Sequence, residues 1–221
     1  MKPITRRRSS RIAAAMFAVA AFGLASSPAL TAARAQTPQA VVETYYAKLN
    51  TVLRNATKLG YAGRYKTLHP AIKRSFDLAF ISRVAVGPYW NKLDAKQRAK
   101  LTVKMGELSA ATYAARFKSY AGEKFEVLKT QSTSRGDQLV LTRIVQSNDK
   151  KVAIDYRLRQ STAAGKGKSK RKEWRIIDVY LKGRISELAK WRAEFSSIVG
   201  REGYDGLIKA IDKKIAQLRA G

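Results

Sequence analysis

The sequence predicts an α+β fold: a four-stranded antiparallel sheet packed against helices contributed by both ends of the chain. Two observations carry this expectation. Apolar residues recur at helical spacing before about residue 120 and again after about residue 185. Between those regions the period drops to two, in short runs rich in Val, Ile, Leu, Tyr and Trp. Runs of helix and strand that are segregated along the chain, and do not alternate, argue against a parallel α/β sheet.

Val42, Tyr45, Tyr46, Leu49, Val52 and Leu53 place an amphipathic helix over 38–56. A glycine-punctuated stretch follows, with Gly60, Gly63 and His69-Pro70, and Pro70 suits the first turn of a further helix. Asp77 reads as the N-cap of a helix over Leu78–Val86 that Gly87-Pro88 ends. Asp94 and Gln97 form a capping-box pattern ahead of a long helix over about 94–120, with Leu101, Met105, Leu108, Thr112 and Phe117 on one face. Strands are expected at 125–131, 138–146, 151–160 and 173–181. Arg135-Gly136-Asp137 and Ser147-Asn148-Asp149 mark the turns between them. Val152, Ile154, Tyr156 and Leu158 alternate with Asp155, Arg157 and Arg159, which gives one buried and one wet face. Ser161–Lys172, with Gly165, Gly167 and the cations Lys166, Lys168, Lys170, Arg171 and Lys172, reads as a mobile hairpin loop. Ser186 caps a helix carrying Ile185, Leu188, Arg192, Phe195 and Val199. Asp205 caps a last one with Ile208, Ile211, Ile215 and Leu218.

The first 35 residues differ from the rest. Lys2, Arg6, Arg7, Arg8 and Arg11 precede an apolar run over 12–30, and Ala33-Arg34-Ala35 ends it with small residues where a signal peptidase probes. These are the parts of a secretory signal cleaved after Ala35, leaving one domain over 36–221. A retained membrane anchor is the competing reading. The run is short and Ala-rich for that purpose, and Ser26, Ser27 and Pro28 interrupt its end. Arg6-Arg7 raises a twin-arginine route, but Ser9 and Ser10 favour the general one. No cysteine is present, so neither a lipoprotein anchor, a disulfide nor thiol chemistry is available.

Charge narrows the partners. Of 44 Lys and Arg, six lie in residues 1–35 beside no acid; the remaining 38 face 16 Asp and Glu, a net +22. Such a surface is drawn to anionic lipid, nucleic acid or acidic proteins. Export argues against nucleic acid and leaves an anionic membrane surface or an acidic protein.

Little catalytic chemistry is legible. His69 is the sole histidine, and no nucleophile elbow, phosphate cradle or metal-ligand spacing occurs, so neither enzyme activity nor a cofactor is expected. Asp155, Asp178, Glu187 and Glu194 read as ion-pair partners among many cations. What stands out is aromatic surface: Tyr45, Tyr46, Tyr113, Phe117, Tyr120, Tyr156, Trp174, Tyr180, Trp191 and Phe195. They fill a core or line an apolar pocket between sheet and helices, and periodicity alone does not separate the two.

Several stretches carry a family resemblance: Phe76-Asp77 through Ile81-Ser82-Arg83, Gly87-Pro88-Tyr89-Trp90, Arg135-Gly136-Asp137, Trp174 through Val179, Gly183 through Ser186, Arg192 through Ile198 and Gly203 through Ile208. In this order and spacing the chain resembles the MlaC, or toluene-tolerance, family of periplasmic lipid-binding components of ABC transport systems. The run Ile185–Ala189 before Arg192 looks most like its hopanoid-associated branch, HpnM. The resemblance implies a mixed helix–sheet fold with a deep apolar pocket and no reaction. It also implies a carrier of phospholipid, or of a hopanoid, between an inner-membrane ABC transporter complex and an outer-membrane lipoprotein complex.

Strand alternation and helix faces select Tyr113, Phe117, Tyr120, Leu139, Leu141, Val152, Ile154, Tyr156, Ile177 and Val179 as lipid-contacting residues. Lys166, Lys168, Lys170, Arg171 and Lys172 are the expected headgroup or membrane contacts. A non-catalytic envelope adaptor of the hopanoid pathway, with a filled core, is the alternative.

Overall fold

A computed structural model describes residues 36–164 and 170–221, the side chains of 163, 164, 170 and 171 excepted. The expected signal peptide lies outside the described residues. Element order is α1 (Pro38–Arg54), α2 (Ala56–Ser75), α3 (Leu78–Val86), a 3-10 turn (Gly87–Lys92), α4 (Ala95–Arg116), β1 (Lys124–Ser132), β2 (Gln138–Val145), β3 (Lys151–Ala164), β4 (Lys170–Leu181), β5 (Ile185–Ser186) and α5 (Glu187–Ala220). The class is α+β as expected, but the antiparallel sheet has five strands in the order β1-β2-β3-β4-β5, the two-residue β5 being the addition.

Capping chemistry places three helix starts. Asp77 accepts from the Phe80 amide, Asp94 and Gln97 complete the reciprocal capping box, and the Ser186 hydroxyl accepts from the Ala189 amide. Two boundaries differ from expectation. No loop precedes Pro70: α2 runs from Ala56 to Ser75, bent at Gly60. Gly60 has φ 56° and ψ −177°, a region open essentially to glycine alone, so the helical path breaks at this residue and resumes directly in a new direction. Pro70 leaves the Lys66 carbonyl without its usual donor, yet both residues lie on the wet side, where water serves that carbonyl. A last helix does form as expected, but it starts just after Gly203 (φ 68°, ψ −168°), whose non-helical backbone divides α5 into two arms, and Asp205 lies inside its first turn. The long helix expected to reach residue 120 stops at Arg116.

Helices cover one face of the sheet. Val140 on β2, Tyr156 and Leu158 on β3, and Ile176 and Val179 on β4 are buried there against Val42, Tyr45 and Tyr46 of α1, Ile72 of α2, and α3 to α5. Val140 pairs with Tyr156, and Tyr156 with Val179, so these side chains share a face. A bulge breaks the β3–β4 register: Arg157 opposes Asp178 but Leu158 opposes Ile176, leaving Ile177 as the extra residue. Burial of Tyr156, Leu158 and Ile176 removes about 2 kcal/mol of exposed apolar surface each, and this core is the dominant support of a fold without disulfides.

Two polar ties fix the layers. The buried Arg64 of α2 donates to the Ala114 carbonyl of α4 at 2.8 Å and to the Ala56 carbonyl at 2.9 Å. At the α2–α3 junction the Asp77 amide donates to the Ile176 carbonyl at 2.9 Å, which holds Phe76 against β4.

Candidate functional site

Aromatic rings converge where α1 and α4 meet the sheet. Tyr45 meets Phe76, Tyr113 and Tyr156 edge to face at 5.3, 5.7 and 6.2 Å between centroids. Tyr46 contacts Phe125 at 4.9 Å and Tyr156 at 5.5 Å, and Phe117 stacks on Tyr113 at 5.8 Å. Burial pushes the phenols of Tyr45, Tyr46, Tyr113 and Tyr156 above their ordinary range, so all four stay neutral at physiological pH. The Tyr46 hydroxyl has a partner in Thr142 on β2; the Tyr45 hydroxyl is buried without one.

Beside this cluster lies a narrow slot between β4 and the helices. Its walls are Ile177, Val179 and Leu181 of β4, Phe76, Ile81 of α3, Ser109, Thr112 and Tyr113 of α4, and Leu188 and Trp191 of α5. Free volume inside is about 30 Å³, room for little more than one water and roughly tenfold below a usual ligand pocket. The slot is therefore mostly apolar and, in this conformation, closed.

Three ionisable side chains, Arg116, Glu187 and the buried Asp178, complete the lining of the slot. Arg116 and Glu187 face each other at 3.8 Å, and Lys190 reaches Glu187 at 3.2 Å. Asp178 accepts from the Ser186 hydroxyl at 2.6 Å and the Leu188 amide at 3.0 Å, which latches the start of α5 to β4. Burial raises the Asp178 carboxyl above its ordinary value despite those bonds. Thr112, Arg116, Glu187 and Trp191 also line a cleft of about 260 Å³, bounded further by Phe195, Lys214 and Leu218. Trp191 thus stands between slot and cleft.

Of the ten residues selected from the sequence, Tyr113, Ile177 and Val179 line the slot. Phe117, Ile154 and Tyr156 pack in the adjoining core. Val152 is half-buried opposite Ile144. Tyr120 is exposed, with the Arg54 guanidinium 5.6 Å from its ring. Leu139 and Leu141 fall on the far face of the sheet, a correction to the strand phase assumed for β2. Their neighbours Val140 and Thr142 point at the helices, and Leu139 borders a surface hollow with Arg157 and Tyr180.

Lys166 and Lys168 lie outside the described residues. Lys170 and Arg171 belong by backbone to β4, opposite Ala164 and Ala163, so the expected loop is largely hairpin; Lys172 is exposed opposite Thr162. The selection missed Ser109, four residues before Tyr113 on α4, and Thr112, three residues after Ser109, as well as Leu188 and Trp191, one turn apart on α5. Nothing in the local pattern marked Phe76, which sits between two helices.

The sequence profile of the MlaC protein family matches residues 43–213. The chain belongs to the MlaC family. Among solved structures, a phospholipid-binding protein from Ralstonia solanacearum, in complex with a phospholipid, matches with a TM-score of 0.68 at 19% identity. That match covers 82% of this chain and 98% of the other. It establishes a shared MlaC-type fold. No curated protein matches the sequence.

Proposed function

We propose that this MlaC-family protein is a periplasmic lipid carrier. It binds a phospholipid by its acyl chains in the β4–helix slot and shuttles it between an inner-membrane ABC transporter complex and an outer-membrane lipoprotein complex. The observation that carries the reading is the slot itself: mostly apolar walls, uncharged phenols beside them, and three ionisable groups, of which Arg116 and Glu187 face each other. Acyl chains gain about 0.8 kcal/mol per methylene on leaving water, so a chain of ordinary length supplies the free energy to part walls that touch when empty. Family membership and a phospholipid-bound protein of the same fold support this reading. The basic start, apolar run and Ala33-Arg34-Ala35 exit of the first 35 residues support export.

A hopanoid is the second cargo considered. The stretch Ile185–Ala189 that resembles the hopanoid-associated branch forms β5 and the first turn of α5, where Leu188 walls the slot. Mass spectrometry of lipid extracted from the purified protein, followed by reloading of stripped protein from vesicles, tests both. Stoichiometric phospholipid or hopanoid is expected. A protein that arrives empty and takes up neither is no carrier.

A further inference from the structure

A group of four cations lies across Phe76 from the slot, and two of them form no ion pair among the described residues. A groove of about 510 Å³ runs between the α2–α3 junction and the distal parts of β3 and β4. Four elements each place one cation on it: Lys73 from α2, Arg83 from α3, Arg159 from β3 and Arg175 from β4. Two of these share one ring, with the Arg159 guanidinium 4.5 Å and that of Arg83 5.5 Å from the centre of Phe80. Asp137 already offsets the charge of Arg159, so Arg83 on the same ring is the cation that a bound anion would meet unpaired among the described residues.

Other groups fix the cations in place. Arg159 donates to Asp137 at 2.9 Å; Arg175 donates to Glu173 at 2.7 Å and to the Arg74 carbonyl at the end of α2. Asp77 is the one carboxylate on the groove, and both its oxygens are engaged, one by the Phe80 amide and one by the Ser161 hydroxyl. Lys73 and Arg83 are exposed and form no ion pair among the described residues. Thr162 adds a hydroxyl, whereas that of Thr102 already donates to the Arg98 carbonyl at 2.8 Å.

We propose that this groove binds a phosphate group, as monoester or diester. Guanidinium forks and a hydroxyl around one hollow match several oxyanion oxygens better than the two of a carboxylate. Phe76 lines both this groove and the apolar slot, so a single side chain separates the phosphate site from the site proposed for acyl chains. The phosphate site stands without the carrier reading, which bears only on whether the phosphate belongs to a lipid headgroup or is free.

The test compares Lys73→Gln/Arg83→Gln with Lys209→Gln/Lys213→Gln, which removes the same charge from the exposed surface of α5. Inorganic phosphate is titrated at constant ionic strength by amide NMR. In parallel, binding is measured to phosphatidylcholine vesicles with and without phosphatidylglycerol. Saturable shifts at Phe80, Ser161 and Thr162 with phosphate, or tighter binding to the anionic vesicles, are expected, weakened about tenfold by the groove variant and less than twofold by the control.

A response to vesicles alone makes the source a lipid headgroup; an equal response to phosphate makes it the free ion. The proposal is overturned if groove and control variants lose binding alike, or if neither probe shifts the groove amides of the unmodified protein. Lipid content measured on the same samples keeps the two readings apart. A groove that binds in a protein without cargo defeats only the carrier, and a cargo-bearing protein with an inert groove defeats only this site.

Discussion

Replacing Tyr45 and Tyr46 separately by Phe should shift stability in opposite directions, although the residues are adjacent and both buried on α1. The Tyr46 hydroxyl pairs with the Thr142 hydroxyl, which itself donates to the Ile154 carbonyl, while the Thr142 amide donates to Asp155 at 3.0 Å. Tyr46→Phe removes the donor that satisfies Thr142 in a closed network and should lower stability by about 1 kcal/mol or somewhat more. The Tyr45 hydroxyl is fully buried and makes no hydrogen bond of good geometry among the described residues, so its desolvation is poorly compensated. Tyr45→Phe removes that penalty and should raise stability by about 1 kcal/mol. At roughly 2–4 °C per kcal/mol for a domain of this size, the two variants should melt about 4–8 °C apart. Urea unfolding followed by circular dichroism should show the same order with an unchanged denaturant slope. If Tyr45→Phe proves the less stable of the pair, the assignment of hydroxyl partners in this cluster is wrong.

Trp191→Ala joins the slot to the 260 Å³ cleft and brings the void to the lower end of ligand-pocket volumes, so uptake of a fluorescent acyl-chain probe should quicken several-fold; an unchanged rate removes Trp191 as the barrier. Asp137 takes hydrogen bonds from both Arg157 and Arg159. Burial opposes its ionisation, but the two arginines outweigh it and hold the carboxyl below its ordinary range. Its contribution is present above pH 3.8 and is lost as pH falls through the depressed folded value, and Asp137→Asn should lower stability by about 1–3 kcal/mol, discounted for the water that reaches the guanidinium groups. Asp178 has the opposite sign. Its raised folded value means that stability from this group grows as pH falls through that value towards 3.8, and Asp178→Asn should flatten that limb of the stability–pH curve. Gly203→Ala meets no steric neighbour closer than the Tyr89 hydroxyl at 3.7 Å, so its expected loss of about 1–3 kcal/mol in chemical denaturation is backbone strain alone.

The sequence was most legible where local chemistry decides the outcome. Asp77, Asp94 and Ser186 marked helix starts because a cap needs only its own next three residues. Strand positions followed from alternation for the same reason. Strand phase did not, because β2 is apolar at Leu139, Val140 and Leu141 alike, and only the tertiary partner Tyr46–Thr142 decides which set turns inward. The bulge at Ile177 escaped notice since it is a mismatch between two strands and not a property of one. Gly60 was legible as punctuation and does interrupt α2, whereas the interruption of α5 falls at Gly203, ahead of the cap read at Asp205. The slot itself was half visible: β4 and Tyr113 were found, while the α5 wall depends on how a distant helix is latched to β4 by Asp178.

That latch and the kink at Gly203 together make the first arm of α5 a beam supported at both ends. Sixteen residues of helix span about 24 Å between the tie at Glu187 and the pivot at Gly203. A beam fixed at one end alone swings, and its motion is greatest at the tip; a beam held at both is stiff at its ends and yields in the span. Leu188 and Trp191 sit within four residues of the Asp178 tie, so the part of the wall that must give way lies where the beam is stiffest. Release at Asp178 converts it to a lever turning on Gly203, and a turn of roughly 10° then carries the tip about 4 Å. Two hydrogen bonds to one carboxylate thus separate a rigid wall from a door.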